Sequence, residues 1–212
     1  MTNSTPPALL FDMDGTLVDS TALVEDTWGG FAAVHGLDLT TVLAFAHGRP
    51  TAATVHHFLR DPDVADRETA RLVAHEEATT EGVREVPGAR AVLGGLPPES
   101  WAVVTSASRT LARNRMRAAG LPLPGVLVSA DDVVRGKPDP EGYLLAANAL
   151  GVDITSAVVF EDSPAGVRAG RASGARTVVI GALADFDADL ERYADFTAPA
   201  LVTALLGTPA RA

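Results

Sequence analysis

Apolar residues follow two rhythms along the chain. ALLFD (8–12), WAVVT (101–105), GVLVS (125–129), AVVFE (157–161) and RTVVI (176–180) are near-continuous apolar runs of strand length, each followed by polar or turn residues. Runs of this kind suit strands buried on both faces. Between them the apolar positions take helical spacing, over 108–119 behind a Ser108 cap, over 140–150 from Pro140, and over 164–173 from Pro164 to a stop at Gly174. Strands alternating with helices predict an α/β fold, a doubly wound, Rossmann-like parallel sheet. A sixth strand is expected near 194–197 and a last helix over Pro199–Leu206, with a loose tail after Gly207.

The stretch from 19 to 87 breaks this rhythm. Helical patterns fall at 20–35 (Leu23, Val24, Trp28, Phe31), 39–46, 51–60 and 66–82, with no convincing strand among them. An all-helical piece placed directly after the first strand predicts an insert that packs as its own small domain. The expected division is therefore an α/β core of 1–18 and 88–212 and a helical insert of 19–87.

Composition narrows the function. With 212 residues and 47% hydrophobic content the chain buries a sizeable core. It contains no cysteine, which removes thiol nucleophiles and Cys-ligated metals from consideration. The opening MTNSTPPAL has no basic segment followed by an apolar one, and no run approaches a membrane span, so a cytoplasmic location is expected. A net charge of −10 argues against nucleic acid and anionic membranes as partners. Nothing in the sequence fixes the oligomeric state, with a monomer as the favoured expectation.

In an open parallel sheet the ligand crevice lies beyond the carboxyl ends of the strands. There the sequence places Asp12, Asp14 and Gly15 after the first strand, and Thr105 and Ser106 after the second. Arg135, Gly136 and Lys137 follow the third, and Glu161 and Asp162 the fourth. Lys137 is also the single lysine of the chain; the other 16 of the 17 basic side chains are arginine. Clustered carboxylates repel one another and any phosphate unless a cation sits among them, and an all-oxygen site suits Mg²⁺. N–H groups at the helix start after Ser106 suit phosphate oxygens, and a lysine supplies a compact charge for carboxylate and phosphoryl oxygen alike. Of two aspartates spaced by one residue, one can attack phosphorus while the other protonates the leaving oxygen. Taken singly, DMDG also reads as an Asx-type turn, TS as a helix cap and GKP as a solvated turn; their order and common placement argue for a site.

The set DMDGT, TS, GKP and ED, each after a strand, resembles the four motifs of the haloacid dehalogenase superfamily, with a helical cap inserted after the first. WAVVTSAS, RGKPDPEGYLLAANALG and VVFEDSPAGVRAG are similar to its sugar and polyol phosphatases, acting on 2-deoxyglucose 6-phosphate, hexitol phosphates and glycerol 3-phosphate. The stretches VLAFAHGRPTAATVHHFL and LVAHEEATTEG are most similar to the bacterial hexitol and sugar phosphatases. The resemblance implies that Asp12 is the nucleophile, forming an aspartyl-phosphate, and that Asp14 is the acid and then the base. It implies Mg²⁺ held by Asp12, the backbone carbonyl of Asp14 and Asp162, with Glu161 behind the metal. Ser106, with Thr105 as the lesser choice, and Lys137 would bind the phosphoryl group. His47, Gly48 and Arg49 fall where the family places substrate contacts, followed by His57, His75 and Glu77; the histidines fit a helix surface or core as well.

Other chemistries leave different marks. Dehalogenases lack a counterpart of Asp14, and phosphonate hydrolysis uses a cap lysine, which residues 19–87 do not contain. Mutases of the β-phosphoglucomutase type share all four motifs and stay open. A receiver-like signalling domain has its acidic pair first, its lysine last and no helical insert. The expected function is a Mg²⁺-dependent phosphatase whose partner is a small-molecule sugar or polyol phosphate ester.

Overall fold

The computed structural model describes residues 7–183 and 189–206, so the expected loose tail after Gly207 lies outside it. In chain order the elements begin with β1 (Leu9–Phe11), β2 (Val18–Asp19), α1 (Thr21–His35), α2 (Leu39–Ala46), α3 (Thr51–Phe58) and α4 (Pro62–Ala78). They continue with β3 (Arg84–Glu85), α5 (Ala89–Gly95), β4 (Trp101–Val104), α6 (Arg109–Ala118), β5 (Val126–Val128) and α7 (Glu141–Leu150). The last are β6 (Val158–Glu161), α8 (Pro164–Ser173), β7 (Arg176–Ile180), β8 (Glu191–Tyr193) and α9 (Pro199–Leu206).

The main sheet has six parallel strands in the order β5-β4-β1-β6-β7-β8. Alternate residues of each strand feed opposite faces. Phe11, Trp101, Val103, Phe160 and Ile180 join a cluster with residues of α5, α6 and α9, whereas Leu10, Ala102, Val104 and Val159 join one with α7 and α8. Helices on both faces explain why the strands read as unbroken apolar runs. At the centre Phe11 stacks on Phe160 with ring centroids 4.8 Å apart, and both are at most 1% exposed. Sequential winding outward from β1 to β4 and β5, then back to β6, reverses direction between β1 and β6. That switch point is where an open α/β sheet leaves a crevice.

Between β2 and β3 the chain is helical, and Trp28, Phe31, Val42, Val55, Ala65 and Leu72 form a separate buried cluster. β2 and β3 pair antiparallel, a two-residue ladder that the sequence pattern does not reveal, at the point where the chain leaves the core and returns to it. The helix expected over 66–82 runs instead over Pro62–Ala78, because the Asp61 side chain accepts hydrogen bonds from Asp63 N–H and Val64 N–H with proline in the first turn. The sixth strand lies at Glu191–Tyr193 rather than 194–197, as an edge strand with little apolar signal. Among the described residues no helix is long and apolar enough to cross a membrane.

Candidate active site

The turn after β1 sets the geometry. Asp12 N–H donates to the Phe160 carbonyl at 2.9 Å, so the last backbone bond of β1 binds Asp12 to β6. The chain then folds back on itself, with Leu17 and Val18 N–H donating to the Met13 carbonyl at 2.8 and 2.9 Å. Gly15 takes φ +86°, and a Cβ there would lie 1.9 Å from Asp162 Oδ2, so side-chain-free backbone is required against that carboxylate.

Lys137, 7% exposed, reaches this point from the loop after β5. Its ammonium donates to Asp12 Oδ1, to the Val104 carbonyl at 3.0 Å, and pairs with Glu161 Oε1 at 2.7 Å. Burial disfavours the ammonium, but the charges of Asp12 and Glu161 outweigh it and hold its pKa above the usual lysine range. Glu161 is fully buried and also accepts from Tyr143 O–H at 2.7 Å, Asp162 N–H at 3.1 Å, Ser163 N–H at 3.2 Å and Ser163 O–H at 3.1 Å. Its oxygens are thereby used in bracing lysine and loop.

Oxygen atoms of Asp12, Glu161 and Asp162 lie within 4.8 Å of one another. Burial, and next the charge of Glu161, push the Asp12 carboxyl well above the usual carboxylate range against the pull of Lys137. Burial also pushes Asp162 up, opposed by its hydrogen bond from His47. Crowded carboxylates of this kind are a hard-cation donor set, and a bound cation would relieve their repulsion. Because Glu161 already spends its lone pairs on four donors besides Lys137, Asp12 and Asp162 are the better placed of the three to hold a metal ion.

A cleft of about 560 Å³ opens above these groups. Asp12, Asp14, Asp162, Thr105 and Ser106 line its core side, and Val24, Trp28, Leu43, His47, Gly48 and Arg49 line the opposite one. Thr105 Oγ1 accepts from Ala107 N–H at 3.1 Å, while Ser106 O–H donates to the Gly48 carbonyl at 2.9 Å. His47 Nε2 donates to Asp162 Oδ2 at 2.8 Å. Gly48 sits at φ +75° against Ser163, where a Cβ would come within 2.1 Å of Ser163 Oγ. Arg49 lies over the Phe45 ring, 4.3 Å from its centroid, and donates to the Phe45 carbonyl.

Three of the expected substrate contacts do not line the cleft. His57 stacks on Phe45, the ring that Arg49 also covers, at 3.8 Å between centroids, which spends its ring on packing. His75 is exposed on α4. Glu77 points at α6, where it accepts from Ser108 O–H through its carboxylate and from Asn114 Nδ2 through its backbone carbonyl. Conversely, Ser20, Thr51, Glu76 and Arg115 line the cleft without having been singled out. Arg115 carried a legible signal: it shares the stripe of Leu111, Ala112 and Met116 on α6, and a charge on a buried helix face demands a partner.

Comparison with known proteins agrees with this geometry. Residues 6–174 match the haloacid dehalogenase-like hydrolase family. Hexitol phosphatase A of Escherichia coli (strain K12) is 46% identical over 183 residues, 83% of either chain. Glycerol-1-phosphate phosphohydrolase 2 of Saccharomyces cerevisiae is 36% identical over 195 residues, covering 86% of this chain and 76% of that protein. A hydrolase from Pseudomonas syringae shares the fold with a TM-score of 0.79 at 24% identity, over 93% of this chain and 95% of that one. Six parallel strands wound about β1, a helical insert after the first of them and acidic and basic groups meeting at their ends are thus accounted for together: the chain belongs to the haloacid dehalogenase-like hydrolases.

Proposed function

We propose that this protein is a Mg²⁺-dependent phosphomonoesterase acting on a small sugar or polyol phosphate, with residues 19–87 serving as a cap over the core of 1–18 and 88–212. The observation that carries the reading is the buried Asp12–Lys137 pair beside Asp162, opening into a cleft large enough for a sugar phosphate. The similarity to hexitol phosphatase A supports the substrate class.

In this mechanism an Asp12 carboxylate oxygen attacks phosphorus as the ester P–O bond breaks, and the leaving oxygen takes the proton of the Asp14 carboxyl. The Asp14 carboxylate then takes a proton from a water whose oxygen attacks the aspartyl-phosphate, the P–O bond to Asp12 breaks, and orthophosphate leaves. Lys137 balances charge on Asp12 and the phosphoryl oxygens, and Ser106 turns from the Gly48 carbonyl to donate to one of them. Asp12, Asp162 and the backbone carbonyl of Asp14 would hold Mg²⁺, which when bound supplies Lewis-acid stabilisation of the phosphoryl oxygens. Apolar Val24, Trp28 and Leu43 on the cap side exclude water from the leaving-group end.

Phosphate release from hexitol, hexose and glycerol phosphates, with Mg²⁺ and with a chelator, tests the reading. Turnover of at least one ester that the chelator abolishes and Mg²⁺ restores is expected. Conversion of β-glucose 1-phosphate to glucose 6-phosphate without phosphate release would replace it with a mutase.

A further inference from the structure

Arg115 lies in the last turn of α6, away in sequence from the strand-end motifs, and is 2% exposed. Its Nη1 donates to Asp14 Oδ1 at 2.8 Å, and the same oxygen accepts from Ser20 O–H at 2.7 Å. On its other side Nη2 lies 3.6 Å from Glu76 Oε1. Glu76 belongs to α4, is 5% exposed, and accepts from Thr51 O–H at 3.0 Å through its second oxygen. Arg115 Nε and Nη2 have no hydrogen-bond partner among the described residues. Asp14, Ser20, Thr51, Glu76 and Arg115 all face the one cleft.

A buried guanidinium is a poor stabiliser. An apolar side chain of similar volume in the same stripe is commonly neutral or better, and unmatched buried donors add to the cost. The position therefore calls for a role that Leu or Met would not fill. The geometry offers one: two donors on Asp14 Oδ1 fix the plane of the carboxyl and leave Oδ2 to carry the proton toward the leaving oxygen. The same guanidinium reaches the cap wall at Glu76, so the orientation of Asp14 is tied to the wall beside which the leaving group sits.

We propose that Arg115 is the positioning residue for the acid–base carboxyl of Asp14, coupling it through Glu76 to the cap wall, so that esters with poorly departing alcohols depend on Arg115 far more than esters whose leaving group departs unprotonated. The proposal rests on the phosphatase reading above. Arg115 acts through Asp14 and leaves phosphorus to Asp12, Lys137 and Ser106.

The test compares the first-turnover rate of alcohol release, at saturating ester, for a hexitol phosphate and for p-nitrophenyl phosphate in the wild type, Arg115→Met, Arg115→Lys and Glu76→Gln; this rate excludes the later hydrolysis of the aspartyl-phosphate, in which Asp14 serves both esters alike. Arg115→Met should lower it on the hexitol ester about a hundredfold, with a fall of no more than about threefold on p-nitrophenyl phosphate. Arg115→Lys should recover about tenfold of that loss, and Glu76→Gln should lower the rate on the hexitol ester alone, about fivefold. Equal losses on the two esters, or no loss on either, would overturn the proposal while leaving the phosphatase reading intact. Should Arg115→Met not fold, the ratio of the two alcohol-release rates in Arg115→Lys and Glu76→Gln decides in its place, an unchanged ratio overturning the proposal. A wild type inactive on both esters overturns the phosphatase reading and this proposal with it.

Discussion

The two walls of the cleft are built differently. Asp12, Glu161 and Asp162 reach it from the ends of adjacent parallel strands, and Lys137 from the loop after β5, so their meeting follows from strand order. His47 and Arg49 reach it from the turn between α2 and α3, and Glu76 from α4, within a helical unit whose own core, around Trp28, Phe31 and Leu72, is separate from the sheet's. On the first wall a residue's place in the sequence dictates its place in the site. On the second, placement depends on how one packed unit docks against another, and adjacent residues part company: Glu76 faces the cleft while Glu77 turns to α6. The strand-end wall is consequently a set of buried, mutually dependent charges, and the helical wall a mosaic of apolar surface and separate polar groups.

That contrast predicts that substitutions on the strand-end wall cost turnover and that those of substrate-facing residues on the helical wall cost affinity, Glu76 being the exception because it acts on Asp14 through Arg115. After loss of the Asp12 carboxylate itself, Lys137→Arg carries the largest effect. The ammonium is enclosed by Asp12, Glu161, the Val104 carbonyl and the Tyr143 ring, 5.3 Å from its centroid, and a planar fork does not match that enclosure. A fall in kcat of about a hundredfold or more is expected; retention of wild-type turnover would mean that any cation suffices there. Arg49→Ala should raise KM about tenfold and leave kcat within about threefold, the pattern of lost uniform binding. A kcat loss as large as that of Lys137→Arg would erase the distinction between the walls.

Sequence pattern reached the strand-end wall because its carboxylates sit at or just after the ends of apolar runs and Lys137 in the loop that follows another, and topology does the rest. It missed Arg115 because the pattern points to strand ends, while this side chain reaches the cleft from the last turn of α6. It gave His57 a substrate role that the stack on Phe45 takes up instead, since helical spacing alone does not say which face of α3 meets a neighbouring ring. Among the elements, the ladder of β2 and β3 is too short for a period-two signal, and α5, with Gly94 and Gly95 in its last turn, lacks an apolar stripe long enough to stand out. α2, α8 and α9 fall where the pattern places them because caps, prolines or flanking glycine mark their ends.

Smaller effects probe what supports each wall. On the helical side, His57→Ala should cost about 1 kcal/mol of stability through the lost stack and leave kcat within about twofold, as read by denaturant unfolding and steady-state kinetics. On the strand-end side, Asp132 ties the loop after β5 to α6, accepting from Ser129 N–H at 2.8 Å, Ser129 O–H at 2.7 Å and Arg109 Nη2 at 2.6 Å. Burial pushes its carboxyl up, but these hydrogen bonds outweigh it and bring its pKa down to about 2. Because the folded value lies below the unfolded value of about 4, the contribution is full above pH 4 and fades as pH falls toward 2. Asp132→Asn should thus cost about 1 kcal/mol at neutral pH, discounted for partial exposure, with the gap from wild type closing below pH 4.

The most direct test is phosphate release from a hexitol phosphate by the wild type and by Asp12→Asn, in Mg²⁺. Asp12→Asn removes the carboxylate proposed as nucleophile while keeping the side chain's shape beside Lys137. Wild-type turnover with a loss of about a thousandfold or more in the variant is the predicted result. Comparable phosphate release from both proteins would contradict the assignment of Asp12 as nucleophile and the account of the site built on it.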